Sequence, residues 1–538
     1  MSAQQTVAEA FADALVRHGV TRMFGVPGGG SSLDLIAAAA DRGIPFVLAR
    51  TENGAVMMAG ATAEISGTPG VALTTKGPGL ANGANGAAYA MLDRAPVLMV
   101  TDGFTPKQLA YITHQVFDQK AMLAPVMKGH GRLEGDDAAQ EIETLVQTAL
   151  APRRGPVHVE LTGPAARREV APFAGGAQAQ AGIAGDVDTL RARIAAAKRP
   201  VVVAGLEACR PEAAHALRRL CAGLGCAGLV TYKAKGTIAD DDPAYAGIFT
   251  GGAAEGPCVS SADLIVLYGM DPVELILQPW PYDIPVVEMS TAEHPVHYCA
   301  REVSVYGPLD AIVEALGPLA PAPGWTPGEA RAFSDAQRAA LAYPSTGNLL
   351  SPQEVVERAA SHAARRQGPP PRITVDAGAH MFSATMFWPC REPGDILISN
   401  GLATMAYALP AGIAAALHDP ERGAVVFTGD GGLMMCLGEL ATAAQYGANV
   451  TVVVFNDASL SLIDVKQQSR KLAPDGVRWE RPDFAETARG LGFQAWRADS
   501  AETLETALAG AMAHGGPALV DAWIDPRGYG AQLKASRG

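Results

Sequence analysis

The chain is poor in the features that mark secreted, membrane-bound or nucleic-acid-binding proteins. Its seven cysteines, Cys209, Cys221, Cys226, Cys258, Cys299, Cys390 and Cys436, are scattered and form no Cys-x-x-Cys pair. That excludes a disulfide framework and a cysteine-based zinc site, and it suits reduced thiols in a cytoplasm. No uncharged apolar run is long enough to span a bilayer. The segment MSAQQTVAEAFADALVRHGV has the periodicity of an amphipathic helix and not the pattern of a signal peptide. Positive charge is in deficit: 42 Lys and Arg stand against 55 Asp and Glu, a formal net charge of −13. This argues against general affinity for nucleic acid or an anionic membrane. Small anionic ligands stay open, because turns and helix ends bind them locally. No short internal repeat is visible, and GxGxxG is absent after the apolar run that ends at Val203–Gly205.

What is present is a folded chain, 48% hydrophobic and only 18% charged, and too long for one core. Apolar strand-like runs alternate with helical runs in three blocks. The first carries Arg22–Val26, Pro45–Ala49, Gly70–Thr75, Pro96–Thr101 and Pro156–Leu161. The second carries PVVVAGLEA, ADLIVLYGMDP and IPVVEMS. The third carries Ile373–Asp376, Asp395–Ser399, Ala424–Thr428, Val450–Phe455 and Ala518–Ile524. Small or proline-rich segments, Pro172–Gly185 and Gly317–Gly328, read as linkers. The expectation is an α/β protein of three doubly wound domains with mainly parallel sheets, spanning 1–170, 186–316 and 350–538.

The most specific signal is GAVVFTGDGGLMMCLGELATAAQYGANVTVVVFNDASL. A strand (Ala424–Thr428) ends in Gly429-Asp430-Gly431-Gly432, a helical run (Leu433–Tyr446) follows, and a second strand ends on Asn456. Neighbouring parallel strands would bring Asp430 and Asn456 together as oxygen ligands for one hard cation. The turn glycines would let backbone N–H groups approach a diphosphate.

This arrangement resembles the GDG…N signature of thiamine-diphosphate (ThDP) enzymes. The segment ARTENGAVMMAGATAEISGTPGVALTTKGPGLANGANGAAYAMLDRAPVLMVTDG resembles their acetolactate-synthase-like branch. The resemblance implies a domain order of pyrimidine-binding, middle and diphosphate-binding, with ThDP and Mg²⁺ as cofactors. It implies Glu52 as the carboxylate that activates the aminopyrimidine ring. Pro27-Gly28 corresponds to a turn near that ring, and Asn82 belongs to a GPGxxN loop. Gly378, Ala379 and His380 correspond to a diphosphate-contacting element, and Met405 to the wedge that bends the cofactor. Metal ligands would be Asp430, Asn456 and the carbonyl of Ala458. Gln115 corresponds to an active-site glutamine, with His114 beside it as a second candidate. The implied chemistry makes or breaks a C–C bond next to the carbonyl of a 2-oxo acid, through an enamine. The implied assembly is a homodimer or homotetramer with active sites at subunit interfaces.

The sequence also departs from the family pattern. Thr51 stands where a His often precedes the glutamate, Lys76 stands before the GPG where a small residue is usual, and Asp457 replaces a second Asn. Lys76 would favour an anionic acceptor. The regions YGMDPVELILQPW and SLSLIDVKQQSRKL do not align with the FAD-linked arginine pattern and the Trp-containing segment of true acetolactate synthases, so FAD is not assigned. Arg210, Arg218 and Arg219 are candidates for the ADP-binding role seen in acyl-CoA lyases and oxalyl-CoA decarboxylases, against the plainer reading of a solvated helix face. The rival readings are such a lyase or decarboxylase, an FAD-containing oxidase, and a catalytically silent regulatory subunit.

Overall fold

The computed structural model describes residues 5–173, 175, 182–276, 279–343 and 349–538. Most of the first linker segment lies outside the described residues.

The first sheet is built from β1 (Met23–Val26), β2 (Phe46–Leu48), β3 (Gly70–Thr74), β4 (Val97–Gly103), β5 (Gly129–Arg132) and β6 (Val157–Thr162), all parallel, in the order β2-β1-β3-β4-β6-β5. The middle sheet contains β7 (Ala184–Gly185), β8 (Pro200–Ala204), β9 (Ala227–Val230), β10 (Tyr245–Ile248), β11 (Leu264–Tyr268), β12 (Val286–Ser290) and β13 (Val303–Tyr306). Its order is β10-β9-β8-β11-β12-β13-β7, with only β7 antiparallel. The third comprises β14 (Arg372–Val375), β15 (Ile396–Ile398), β16 (Ala424–Gly429), β17 (Val450–Asn456), β18 (Gln494–Ala498) and β19 (Ala518–Trp523), again all parallel, in the order β15-β14-β16-β17-β19-β18. The first and third sheets therefore share one topology, a relationship that residue patterns alone did not reveal.

These strands form because both faces of each sheet are covered. All seven residues of β17 are buried, and a run rich in Val suits that environment. The helices Glu52–Ser66 and Ala408–His418 pack against each other between the first and third sheets. Their Ala- and Gly-rich sequences are apolar on almost every side, as a helix buried between two layers requires. One hydrophobic core, including Met57, Met58, Tyr89, Tyr407, Leu440 and Leu519, runs through both domains. The buried ammonium of Lys233 closes the three-domain junction, 2.8 Å from Glu64, 3.3 Å from Asp93 and 2.9 Å from the carbonyl of Ile398.

Some sequence expectations are corrected. The helical run Leu433–Tyr446 is two helices, Asp430–Met435 and Glu439–Gln445, broken where Cys436 leaves helical dihedrals ahead of Gly438. The proline-rich stretch after Leu316 is packed rather than loose. The Trp325 indole donates to the carbonyl of Pro200 at 2.7 Å and lies under the Arg199 guanidinium. The following helix, Glu329–Ala340, supplies Gln337, whose amide bonds both the N–H and the carbonyl of Ile248 at 2.7 Å and so closes the open edge of β10. Among the described residues no helix is long and apolar enough to cross a membrane.

Candidate functional site

In the first domain the candidate residues gather at the carboxyl ends of β1 to β4, the edge where open parallel sheets bind ligands. Thr51 caps the helix Glu52–Ser66, accepting from the N–H of Gly54, and thereby sets Glu52 as the first helical residue. Glu52 is half-buried, and Asn82 Nδ2 donates to its Oε2 at 2.5 Å. The other oxygen lies over Gly79, only 3.1 Å from where a Cβ would stand. The turn at Pro27-Gly28 is held by Asp102 at the end of β4, whose Oδ1 accepts from Ser31 Oγ, Ser32 N and Ser32 Oγ. A Cβ on Gly28 would collide with Asp102 and Thr75, so only glycine lets these loops meet. Gln115 also arrives here, its backbone packed on Gly77. His114 stays exposed, with no hydrogen-bond partner among the described residues, so the structure does not draw it into the site.

In the third domain the corresponding edge holds a deep polar cradle. Gly429 ends β16 and Asn456 ends β17, so Asp430 and Asn456 come from adjacent strand ends. Asp430 accepts from its neighbour Gly431 N at 2.8 Å and from Ala458 N at 2.6 Å. Asn456 is fully buried, and its Nδ2 donates to Asp521 Oδ1 at 2.8 Å and to the Pro482 carbonyl at 3.0 Å. Its Oδ1 is buried without a partner, an acceptor left free for a ligand. Burial pushes the Asp430 carboxyl up; burial, and then the nearby Asp430 charge, push Asp457 up. Buried Asp430, with half-buried Asp457 close by and an unsatisfied amide oxygen on the adjacent strand end, makes a donor set that fits a hard divalent cation.

The rest of the cradle closes around this point. His380 stacks on Phe455 at 5.1 Å, sits against Gly378 and Gly429, and has a buried, unpartnered Nε2; burial lowers its pKa to about 4. Ala379, beside it, is buried. Met405 Cε lies 3.4 Å from where a Cβ on Gly431 would be, which places this side chain over the turn. Buried Asp376 accepts from the backbone of Ala406, Tyr407 and Ala408 and from Thr428 Oγ, joining the loop of Met405 to β16. A Cβ on Gly432 would collide with that same carboxylate. Four non-glycine residues at the two edges, Gln115 in the first domain and Ala403, Ala406 and Ala458 in the third, adopt left-handed φ values of 60°, 53°, 67° and 59°. Such conformations cost roughly 1 kcal/mol or more each and concentrate where a site must hold its shape.

Sequence reasoning missed several supporting groups. Glu439, fully buried, accepts from the backbone N–H of Arg50 and Thr51, from Thr51 Oγ and from Thr442 Oγ. It therefore fixes the entry to the Glu52 helix from the far domain. Asp521 orients Asn456. Asp93 accepts from Asn400 N and Ser399 Oγ, tying the first domain to the loop before Met405.

Two further cavities flank these edges. One, about 570 Å³, opens beside Lys76 and Gln115. The other, about 530 Å³, lies at the carboxyl ends of the middle strands and is lined by Arg94, Arg153, Arg154, Glu207, Arg210 and Lys233, among others. Of the three middle-domain arginines singled out from sequence, only Arg210 lines it. Arg218 binds the carbonyls of Gly236, Thr237 and Arg391, and Arg219 is exposed.

Comparison with known proteins matches the chain to three family profiles: thiamine pyrophosphate enzyme, N-terminal TPP binding domain over residues 5–122, central domain over 187–316, and C-terminal TPP binding domain over 376–522. A catabolic acetolactate synthase of Raoultella terrigena is 30% identical, with 97% of this chain and 95% of that protein covered. An acetolactate synthase of Bacillus subtilis is 27% identical over 96% and 93%. A probable 2-ketoarginine decarboxylase of Pseudomonas aeruginosa is 27% identical, also over 96% and 93%.

Proposed function

The chain belongs to the thiamine pyrophosphate enzymes of the acetolactate-synthase-like kind, and on that premise we propose that it uses ThDP with Mg²⁺ to act on a 2-oxo acid, in the cytoplasm. The segments 1–170, 186–316 and 350–538 serve as pyrimidine, middle and diphosphate units. Bound ThDP supplies a nucleophilic carbon and an electron sink for making or breaking a C–C bond beside a carbonyl.

Asp430, Asn456 and the carbonyl of Ala458 hold the cation. The turn Gly429–Gly432, with Gly378, Ala379 and His380, receives the diphosphate. Met405 shapes the cofactor from above the turn. Glu52, with Oε2 anchored by Asn82, keeps Oε1 for holding and releasing a proton at the pyrimidine. Pro27, Gly28 and Asn82 line that ring's place, and Gln115 faces the substrate. His114, exposed and unpartnered, has a role only if a second subunit covers it.

The assembly is a dimer at least, with Glu52 of one subunit serving the cradle of the other. Exposed apolar side chains support this: Leu48 and Tyr111 on the first domain, Met434 and Met435 beside the cradle. A second copy would remove them from water.

The observation that carries the reading is the buried, unpartnered oxygen of Asn456 beside Asp430. Thermal unfolding with ThDP and Mg²⁺, together and singly, tests it. The reading requires a rise in midpoint that needs both, and CO₂ release from at least one 2-oxo acid. No rise with both present rejects it.

The cavity at the middle strands favours a second reading, an enzyme that also grips the ADP portion of an acyl-CoA. Arg154 lines the cavity beside Arg210, and burial, then the Arg210 charge, lower its pKa to about 10, so an anion placed between these two cations would relieve their repulsion. Stabilisation by ADP or coenzyme A, and not by FAD, would favour it.

A further inference from the structure

The cavity of about 570 Å³ lies on the substrate side of the first domain. Lys76 stands at its head, immediately before Gly77-Pro78-Gly79, the turn that runs under Glu52 Oε1. Its floor is tied to that turn: Gln119 Oε1 accepts from Gly77 N at 3.0 Å, and Gln119 Nε2 donates to Glu160 and to the carbonyl of Asp102. Anything bound here is therefore registered against Glu52 through one short loop. The volume falls in the range used by whole small-molecule ligands, far more than a three-carbon acid fills.

The walls have two characters. Phe104, Leu109, Val116 and Phe117 supply apolar surface. The polar groups carry an excess of positive charge. Arg132 is already paired with Glu134 and Glu160. Asp118 is engaged in capping the helix Gln119–Leu123. Glu160 is taken up by Arg132 and Gln119, and burial raises its carboxyl. Burial, then Lys120 and Arg132, lower the His130 imidazole, which keeps that ring neutral. Lys76 has no ion-pair partner among the described residues; its ammonium rests 4.7 Å from the centroid of the Phe104 ring. An ammonium on an aromatic face, half-buried and without a carboxylate, is a cation held ready for an anion from outside.

We propose that this cavity receives the part of the substrate remote from the reacting carbonyl, and that Lys76 binds a second carboxylate there. The substrate class is then a 2-oxo acid whose aliphatic chain ends in a carboxylate. This rests on the ThDP reading above. Leu109, Val116 and Phe117 pack the methylenes, and Lys76 supplies the discrimination against chains with a neutral end. Lys120 at the rim attracts the same group from solvent.

Steady-state kinetics of the ThDP–Mg²⁺ holoenzyme with 2-oxoglutarate and with 2-oxopentanoate, equal in chain length but differing in terminal charge, tests the assignment. The wild type is expected to favour 2-oxoglutarate in kcat/KM by about tenfold or more, the scale of one charge-assisted hydrogen bond. Lys76→Met should abolish that ratio through KM for 2-oxoglutarate, and Lys76→Arg should restore most of it. ThDP-induced thermal stabilisation in each variant reports an intact cofactor site. If the ratio is the same in wild type and Lys76→Met while ThDP still stabilises both, the carboxylate pocket is wrong and the ThDP reading stands. If ThDP stabilises none of them, the reading beneath fails and the pocket falls with it.

Discussion

Asn456 Nδ2 donates to Asp521 Oδ1 at 2.8 Å, and that bond fixes the Asn456 amide so that its oxygen is the buried, unpartnered atom. Asp521 is itself buried and also accepts from the backbone of Phe484 and the indole of Trp523, so it cannot swing away. Groups that orient a metal ligand in this way commonly contribute 10- to 100-fold in affinity. Asp521→Asn offers an amide that can present either end to Asn456. The Mg²⁺ concentration for half-maximal activity should rise by roughly tenfold or more. An unchanged Mg²⁺ requirement in a folded variant would show that the orientation of Asn456 is immaterial.

Glu439 makes a second prediction. Its carboxylate accepts four hydrogen bonds, two of them from the backbone of Arg50 and Thr51 just ahead of Glu52. Glutamine can accept with only one of its two terminal atoms, leaving a buried donor unsatisfied at about 1–3 kcal/mol. Glu439→Gln is expected to lower kcat at saturating ThDP by about tenfold, with KM little changed. A purely structural role would instead lower the unfolding midpoint and leave kcat intact.

His158 gives a pH dependence with a definite sign. It is buried, bonded to Thr101 Oγ and His130, and burial, then the His130 charge, push its pKa from 6.5 down to about 3. The folded pKa is depressed, so the folded chain binds fewer protons than the unfolded chain between these values. The contribution of the neutral ring is full above about pH 6.5 and is lost as pH falls towards 3, at up to ~1.4 kcal/mol per unit. Denaturant unfolding at pH 7 and pH 5 should show a wild-type advantage over His158→Gln that shrinks on acidification. An advantage that stays constant with pH would contradict the assignment.

How much of this was legible in the chain follows from where each partner lies. Asp430 and Asn456 sit on one strand–helix–strand unit, so local pattern was enough to pair them. Asp521 lies 65 positions from Asn456, and Glu439 lies 388 from Thr51; these contacts exist only after three domains have packed. Lys233 reads as an ordinary charged residue until Glu64 and Asp93 enclose it. The edge strands β5 and β18 were missed because GHGR and the half-exposed QAWRA lack the apolar continuity that marked β16 and β17. His114 was chosen for its sequence position beside Gln115, which says nothing about the direction of its side chain.

The central claim is that Glu52 of one subunit completes the cradle of another, and mixed dimers test it most directly. Glu52→Gln, which removes the titrating carboxylate and should cost roughly 10²- to 10⁴-fold, is co-expressed with Asp430→Ala under two affinity tags. Doubly tagged dimers are then isolated. A shared site predicts that these dimers recover activity from one intact centre, made of Glu52 from one chain and Asp430 from the other, while each parent variant remains inactive. Doubly tagged dimers no more active than the parents would place both groups in the same chain and contradict the account.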